Sequence, residues 1–100
     1  MNSRETVALL QENAEAIRGF GATSLYLYGS TARDELRDDS DVDLFLDYNR
    51  TSDGTFSLIN LIQLENHLKQ LLRRDVDLST RDGLHPLLRA DIERSSVRVF

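Results

Sequence analysis

The chain has 100 residues, enough for one domain with a single modest hydrophobic core. Hydrophobic residues make up 40% and charged residues 29%, a composition typical of folded globular proteins and unlike that of disordered chains. The net charge of -5, from 17 acidic and 12 basic side chains, excludes a general electrostatic attraction to nucleic acid or to anionic membranes. We therefore expect one folded domain over residues 1–100.

The sequence contains no cysteine, which excludes disulfides, thiolate metal sites and cysteine nucleophiles. The first twenty residues mix acidic side chains into their apolar pattern, so they resemble neither a signal peptide nor a membrane span. We expect the protein in the cytoplasm, because its reducing conditions suit a chain without cysteine.

The first half of the sequence predicts a helix, a strand, a short helix and a second strand. Apolar residues recur at three- and four-residue steps over residues 5–18, which predicts an amphipathic helix that ends at the glycines after it. Residues 23–28 predict a strand that ends at Gly29, and Ser30 is a suitable N-cap for a short helix. After a polar loop, strict alternation over residues 41–48 predicts the second strand.

The second half predicts the longest helix, over residues 58–72, and three shorter elements after it. The apolar stripe of that helix, which we expect to supply much of the core, consists of Leu58, Leu61, Ile62, Leu64, Leu68, Leu71 and Leu72. Residues 75–80 predict a third strand, Pro86 suits the first turn of a closing helix, and residues 97–100 predict a last strand. The apolar residues of the closing helix are Leu87, Leu88 and Ile92. This alternation predicts an α/β (α+β) fold with a small mixed sheet of three or four strands and helices packed against it.

Gly29 and Ser30 lie between a predicted strand and the start of a predicted helix. Glycine lets a phosphate approach the backbone, and the free amides of a first helical turn can donate hydrogen bonds to it. Ser30 adds a hydroxyl, and Arg33 adds a cation one helical turn later. A Gly-Ser turn after a strand is often an ordinary turn, so this interpretation depends on its neighbours.

Three familiar binding motifs are excluded. Gly19-x-Gly21 precedes a strand instead of following one, and Ser24 stands where a dinucleotide fingerprint needs its third glycine. A P-loop is excluded because the sequence has no Gly-Lys-Ser or Gly-Lys-Thr. An EF-hand calcium loop is excluded because Arg50 stands where that loop needs a glutamate.

Two aspartates lie two residues apart at the start of the second predicted strand. Because side chains alternate along a strand, Asp41 and Asp43 leave the same face, about 7 Å apart. Hard carboxylate oxygens in pairs suit Mg²⁺, which keeps substrate phosphates in the rest of its shell. The alternative is a solvated acidic edge strand.

Asp77 offers a third carboxylate on the next predicted strand. It would share the sheet face of Asp43 if these strands are neighbours, and two-metal phosphoryl transfer uses several such acids. Asp77 would then bind the catalytic ion and could act as the base. Asp75 is the rival on the same face, at the very start of that strand.

Together, Gly29-Ser30-x-x-Arg33, Ser40-Asp41-x-Asp43-Leu44 and Val76-Asp77-Leu78 resemble the motifs of the DNA polymerase β nucleotidyltransferase superfamily. The similarity covers nearly the whole chain and is strongest to the minimal nucleotidyltransferases (MNT), including the antitoxins of HEPN/MNT toxin–antitoxin pairs. It implies the polymerase β-like nucleotidyltransferase fold.

The resemblance also implies the role of each site residue. Gly29 and Ser30 would hold the β and γ phosphates of a nucleoside triphosphate, with Arg33 also on phosphate. Asp41 and Asp43 would bind two Mg²⁺ ions, and Asp77 the catalytic one. The reaction would move NMP to a hydroxyl, and the expected donor is ATP, which supplies AMP.

The resemblance further implies a HEPN-domain toxin as partner, modified on a tyrosine. The length agrees, because 100 residues are nearly used up by such a fold and leave no appended domain to grip an acceptor. Two alternatives stay open at this point. One is a binding module that masks a toxin without catalysis, and the other is a nucleotidyltransferase that acts on a small molecule or an RNA end.

Overall fold

The computed structural model describes residues 3–32, 41–49 and 56–100, which form alternating helices and strands. The helices are α1 (Ser3–Glu12), α2 (Ala14–Gly19), α3 (Gly29–Ala32), α4 (Leu58–Leu72) and α5 (Arg89–Ser95). The strands are β1 (Ala22–Tyr28), β2 (Val42–Tyr48), β3 (Val76–Thr80) and β4 (Val97–Arg98). A 3-10 turn over Arg81–Gly83 directly follows β3.

The strands form one four-stranded sheet in the order β3-β2-β1-β4. β1 is antiparallel to both β2 and β4, whereas β3 is parallel to β2. A parallel pair needs a crossover, and α4 supplies it between β2 and β3. The predicted fold class, a small mixed sheet with helices packed against it, is confirmed.

The hydrophobic core lies between one face of the sheet and helices α1, α2 and α4. The alternation predicted for β2 is seen here, since Val42, Leu44 and Leu46 all point into this core and are fully buried. The helices contribute Leu10, Ile17, Leu64, Leu68 and Leu72. Because this face is covered by helices, the polar side chains of the strands must leave the opposite face.

The apolar stripe predicted for α4 is narrower than expected. Leu64, Leu68 and Leu72 are buried, whereas Leu58 is 70% exposed and Ile62 is 48% exposed. At about 100° per residue, Leu58 lies about 120° and Ile62 about 160° around the helix from Leu64. These two leave the face that contacts the sheet, so the prediction that they belong to the core is wrong.

The opening helix is interrupted, although the sequence predicts it to be continuous over residues 5–18. α1 and α2 are separated by Asn13, whose side-chain amide donates a hydrogen bond to the carbonyl oxygen of Leu9 at 2.9 Å. Asparagine competes with helical backbone bonding in this way, which explains the break.

The closing helix begins later than predicted. Pro86 lies in a turn before α5, not in its first helical turn, and Leu87 and Leu88 in that turn are 84% and 54% exposed. The last strand is shorter than predicted, but its backbone bonding to β1 continues, because Leu25 donates to the carbonyl oxygen of Phe100 at 3.1 Å.

In the part of the chain that the structure describes, no helix has the length and apolar character that a bilayer crossing requires.

Candidate functional site

A row of three polar side chains crosses the sheet on the face opposite the helical core. Asp43 on β2 is the direct partner of Asp77 on β3, and of Tyr28 on β1. Paired residues of neighbouring strands project to the same face, and the strands lie about 4.8 Å apart. The predicted placement of Asp77 beside Asp43 is therefore confirmed. We call Tyr28, Asp43 and Asp77 the tyrosine–aspartate row.

Asp41 and Asp75 lie one step outside this row. Each directly precedes its strand and is exposed, and the amide of Val42 donates to the carbonyl oxygen of Asp75 at 2.9 Å. Within the described residues, no three aspartate, glutamate or histidine side chains converge closely enough to hold an ion. The structure thus places Asp43 and Asp77 side by side on neighbouring strands. Asp41 lies two residues before Asp43, just outside the strand.

Gly29 brings the backbone of the predicted phosphate turn against the Asp43 carboxylate. Its φ of +67° lies in the left-handed region, which L side chains rarely adopt. A Cβ atom at this position would lie 2.6 Å from Oδ2 of Asp43, closer than any real contact allows. Any other residue here would therefore strain the backbone and force the Asp43 carboxylate to move.

The remaining residues of the phosphate turn are described only in part. α3 begins at Gly29, one residue before the predicted N-cap at Ser30. The backbone of Ser30 lies in α3, but its hydroxyl is outside the described part of the chain, and so is all of Arg33. Their contacts with phosphate remain predictions.

The Tyr28 phenol is affected by the charges of both aspartates. Its pKa is raised, first by burial of the phenol, then by the negative charges of Asp77 and Asp43, while a hydrogen bond with the Ser79 side chain acts in the opposite direction. The sequence motifs do not single out Tyr28. The signal that could have done so was its position, since it lies directly before Gly29 and faces the same side as Asp43.

A second polar network lies at the far end of the same face. Arg81 donates two hydrogen bonds to the Asp47 carboxylate, at 2.7 and 3.0 Å, and Ser24 donates a third at 2.8 Å. The guanidinium lies over the rings of Tyr26 and Phe45, with its Cζ atom 4.9 and 5.1 Å from the ring centroids. This network covers Phe45. The Phe45 side chain is fully buried, although it lies on the face of β2 that carries Asp43 and Asp47.

Arg81 also connects this network to α5, since it lies 3.5 Å from a carboxylate oxygen of Glu93. The hydrogen bonds from Arg81 hold the pKa of Asp47 below its ordinary value, and the same pairing raises the pKa of Arg81. No sequence motif singles out Asp47 or Arg81, because the two residues lie 34 positions apart.

The lowered pKa of Asp47 predicts a specific acid sensitivity. The unfolded chain binds the Asp47 proton more readily, so the pair stabilises the fold at neutral pH, and this contribution is lost as the pH falls below the ordinary pKa of 3.8. We expect the melting temperature of the Asp47→Asn variant to fall less than that of the wild type between pH 7 and pH 3.

Asp91→Asn is the matched control, because Asp91 pairs with Arg94 where both side chains are 75% exposed and solvent screens the interaction. That variant should keep the acid dependence of the wild type. Equal pH profiles for the wild type and Asp47→Asn would contradict the prediction.

The chemistry of the tyrosine–aspartate row fits a hard divalent cation. Two carboxylates side by side repel each other, and a cation between them relieves that repulsion. The strand register places both carboxylates on one side of the sheet.

Comparison with known proteins identifies the family. Residues 9–99 match the family described as nucleotidyltransferase domain. The chain belongs to this family. It is therefore an enzyme of the nucleotidyltransferase class, as the sequence motifs predicted.

Relatives of this nucleotidyltransferase are named for protein adenylylation. Protein adenylyltransferase MntA of Thermococcus cleftensis is 34% identical over 80 residues, which cover 80% of this chain and 77% of the relative. A candidate protein adenylyltransferase of Methanocaldococcus jannaschii is 34% identical over 92 residues, which cover 91% of this chain and 90% of the relative.

Solved structures share the fold. A candidate minimal nucleotidyltransferase superposes with a TM-score of 0.82 and 29% identity, over 97% of this chain and 95% of that one. An MNT antitoxin solved in complex with a tri-AMPylated HEPN toxin of Shewanella oneidensis gives a TM-score of 0.66 at 18% identity, over 94% of this chain and 71% of that one. At such low identity, the second likeness shows the fold alone.

Proposed function

We propose that this nucleotidyltransferase transfers AMP from ATP to a hydroxyl of a protein, and that the acceptor is a tyrosine of a HEPN-domain toxin which it thereby neutralises. The observation that carries the proposal is the tyrosine–aspartate row, in which Asp43 and Asp77 stand side by side next to the Gly29 turn. The 34% identity to protein adenylyltransferase MntA supports the adenylyl group and the protein acceptor.

The proposed cofactor is a pair of Mg²⁺ ions. Asp41 and Asp43 would bind both ions, and Asp77 the catalytic one, because Asp43 and Asp77 are paired on neighbouring strands and Asp41 lies two residues before Asp43. When bound, such ions neutralise the negative charge of the triphosphate and of the leaving pyrophosphate.

The residues of the turn would hold the triphosphate. Gly29 has no side chain, so the β and γ phosphates can approach the backbone beside Asp43 without steric conflict. The free amides at the start of α3 and the hydroxyl of Ser30 would donate hydrogen bonds to the phosphate oxygens. Arg33 would add a positive charge.

Asp77 is suited to receive the acceptor. It is exposed and lies on the edge strand β3, so a hydroxyl from a second protein can reach it from solvent. The acceptor oxygen would attack the α phosphorus in line, its proton would pass to a carboxylate oxygen of Asp77, and pyrophosphate would leave.

Asp77→Asn tests these roles against the rival carboxylate Asp75. We expect Asp77→Asn to lower transfer of labelled AMP from ATP to a co-purified HEPN protein by about a hundredfold, because one carboxylate supplies both a ligand and a base. Asp75→Asn is the matched control and should keep at least half of the wild-type rate. If Asp75→Asn lowers the transfer rate more than Asp77→Asn does, Asp75 is the third carboxylate of the site.

The same assay separates the proposal from its alternatives. If the Asp77→Asn variant transfers no AMP but still neutralises the toxin, the protein acts by masking the toxin and not by catalysis. Label that appears on a small molecule or an RNA end, with none on the HEPN protein, would overturn the proposed acceptor.

A further inference from the structure

The outward side of α4 carries no acidic side chain. Its exposed positions form one stripe, because they all lie within about 140° around the helix axis. The chain has 17 acidic residues, and the exposed positions of α1 and α5 include Glu5, Glu12 and Asp91. With the exposed residue directly after the helix, the α4 stripe consists of Leu58, Ile59, Ile62, Gln63, Asn66, Gln70 and Arg73.

The N-terminal end of the α4 stripe is apolar. Leu58 and Ile59 are 70% and 66% exposed, and Ile62 follows one turn later. A groove of about 210 Å³ adjoins this end, with walls formed by Tyr48, Phe56, Ser57, Leu58, Leu61 and Thr80. An apolar cavity of about 150 Å³ holds benzene, so the groove has room for one bulky apolar side chain. An apolar centre depleted of charge is typical of protein–protein interfaces.

The C-terminal end of the α4 stripe is basic. Arg73 is exposed there, and Lys69 lies one turn before it on the same side of the helix. Acidic side chains are most favourable in the first turn of a helix, beside the positive end of its dipole. A partner helix antiparallel to α4 would bring such a turn to Arg73 and place its later apolar residues over Leu58 and Ile59. About four turns would span this distance.

A second copy of this chain offers no such helix in the part that the structure describes. α4 has no acidic residue in its first turn, so two antiparallel α4 helices would set Arg73 beside an uncharged turn. Helices α1, α2 and α5 do have an acidic first turn, but none of them exposes a large apolar residue after it. Two chains of net charge -5 also repel each other. The α4 stripe therefore fits a different protein.

The α4 stripe lies near the strand that carries Asp77. α4 packs beside β3, and the Glu65 carboxylate accepts a hydrogen bond from the amide of Leu78 at 3.4 Å. Leu78 directly follows Asp77, and β3 is the edge strand of the sheet. A protein bound on the outward side of α4 is thus at the same edge of the molecule as the exposed Asp77.

We propose that the α4 stripe is the docking surface for the protein that accepts the nucleotide, and that this protein binds through an amphipathic helix antiparallel to α4. The helix would carry acidic residues in its first turn, opposite Arg73 and Lys69. A bulky apolar side chain further along it would enter the groove beside Leu58. The inference rests on the proposed function for the partner being the acceptor, and it adds the surface that recognises this partner.

Affinity for the purified HEPN protein is the direct measurement, by calorimetry with the intact chain. Leu58→Gln combined with Ile59→Gln removes the apolar end of the α4 stripe, and both sites are exposed, so the fold should persist. We expect the double variant to weaken binding by about thirtyfold, as loss of central apolar contacts does at other interfaces. The KM for the HEPN protein should rise by a similar factor, whereas the affinity for ATP should not change.

Two further variants make the test specific. Leu87→Gln is the matched control, because Leu87 is 84% exposed but lies outside α4, and this variant should bind as the wild type does. Arg73→Gln should weaken binding by about threefold and make the affinity less sensitive to salt, because salt screens exposed charge pairs. Melting temperatures check that each variant is folded. An equal loss of affinity in Leu87→Gln and in the double variant would contradict the assignment to α4.

Failure of this inference is distinguishable from failure of the proposed function. If the folded double variant binds the HEPN protein as the wild type does, and transfers AMP to it equally well, the docking surface is wrong and the proposed function stands. If the wild type binds the HEPN protein through the α4 stripe but transfers no AMP to it, the proposed function is wrong. If the wild type dimerises in sedimentation and the double variant does not, the occupant is a second copy and the proposal is overturned.

Discussion

Asp43→Asn should reduce nucleotidyl transfer by at least about a thousandfold while leaving the protein folded. Asp43 is the middle member of the tyrosine–aspartate row and is proposed to bind both ions. A loss of about 4 kcal/mol of charge stabilisation in the transition state corresponds to that factor. Asparagine keeps the size of the aspartate side chain, so we expect the fold to persist.

The measurement is the single-turnover rate of AMP transfer from labelled ATP, paired with the melting temperature. Asp47→Asn is the control on the same strand and the same face, and we expect the opposite pattern from it. It removes the partner of Arg81 and Ser24, so it should lower the melting temperature and leave transfer largely intact. Transfer above a tenth of the wild-type rate in Asp43→Asn would refute the central role of this carboxylate.

Gly29→Ala should lower both activity and stability. The left-handed backbone at φ +67° costs an alanine about 1–2 kcal/mol, and its Cβ would lie 2.6 Å from Oδ2 of Asp43. The carboxylate or the turn must then move. Because a displacement of about 1 Å in a catalytic group can reduce rates by about a hundredfold, we expect a loss of that order in AMP transfer.

Gly19→Ala is the matched control for this substitution. Gly19 is the last residue of α2, and a Cβ there would meet no atom within 4 Å. Alanine favours helices over glycine by about 0.5–1 kcal/mol, so this variant should be at least as stable as the wild type and fully active. Chemical denaturation and the same transfer assay check both variants. If Gly29→Ala and Gly19→Ala were equally stable and equally active, the prediction that the Gly29 turn is constrained would be wrong.

Local patterns predicted most of the fold. The alternation of residues 41–48 anticipated β2 and its core face, because a strand with one face buried must place apolar residues at every second position. The predictions failed where tertiary contacts set the outcome. Leu58 and Ile62 are apolar, as core residues are, but their positions around α4 place them away from the sheet.

The sequence also singled out the candidate site residues, whose roles stay predictions. Gly29, Asp41, Asp43 and Asp77 were chosen because their motifs are short and each lies in or next to a predicted strand. Tyr28 was not singled out, because its place beside the two aspartates follows from the pairing of three strands.

The sequence on its own thus established the nucleotidyltransferase family, the fold class and the candidate carboxylates, because these depend on local periodicity and on short motifs. The tertiary structure decided that β3 pairs in parallel with β2 in the register that sets Asp77 beside Asp43. It also decided that Tyr28 lies in one row with Asp43 and Asp77 and that Arg81 covers Phe45. These features depend on strand order, and strand order follows from packing between segments far apart in the chain.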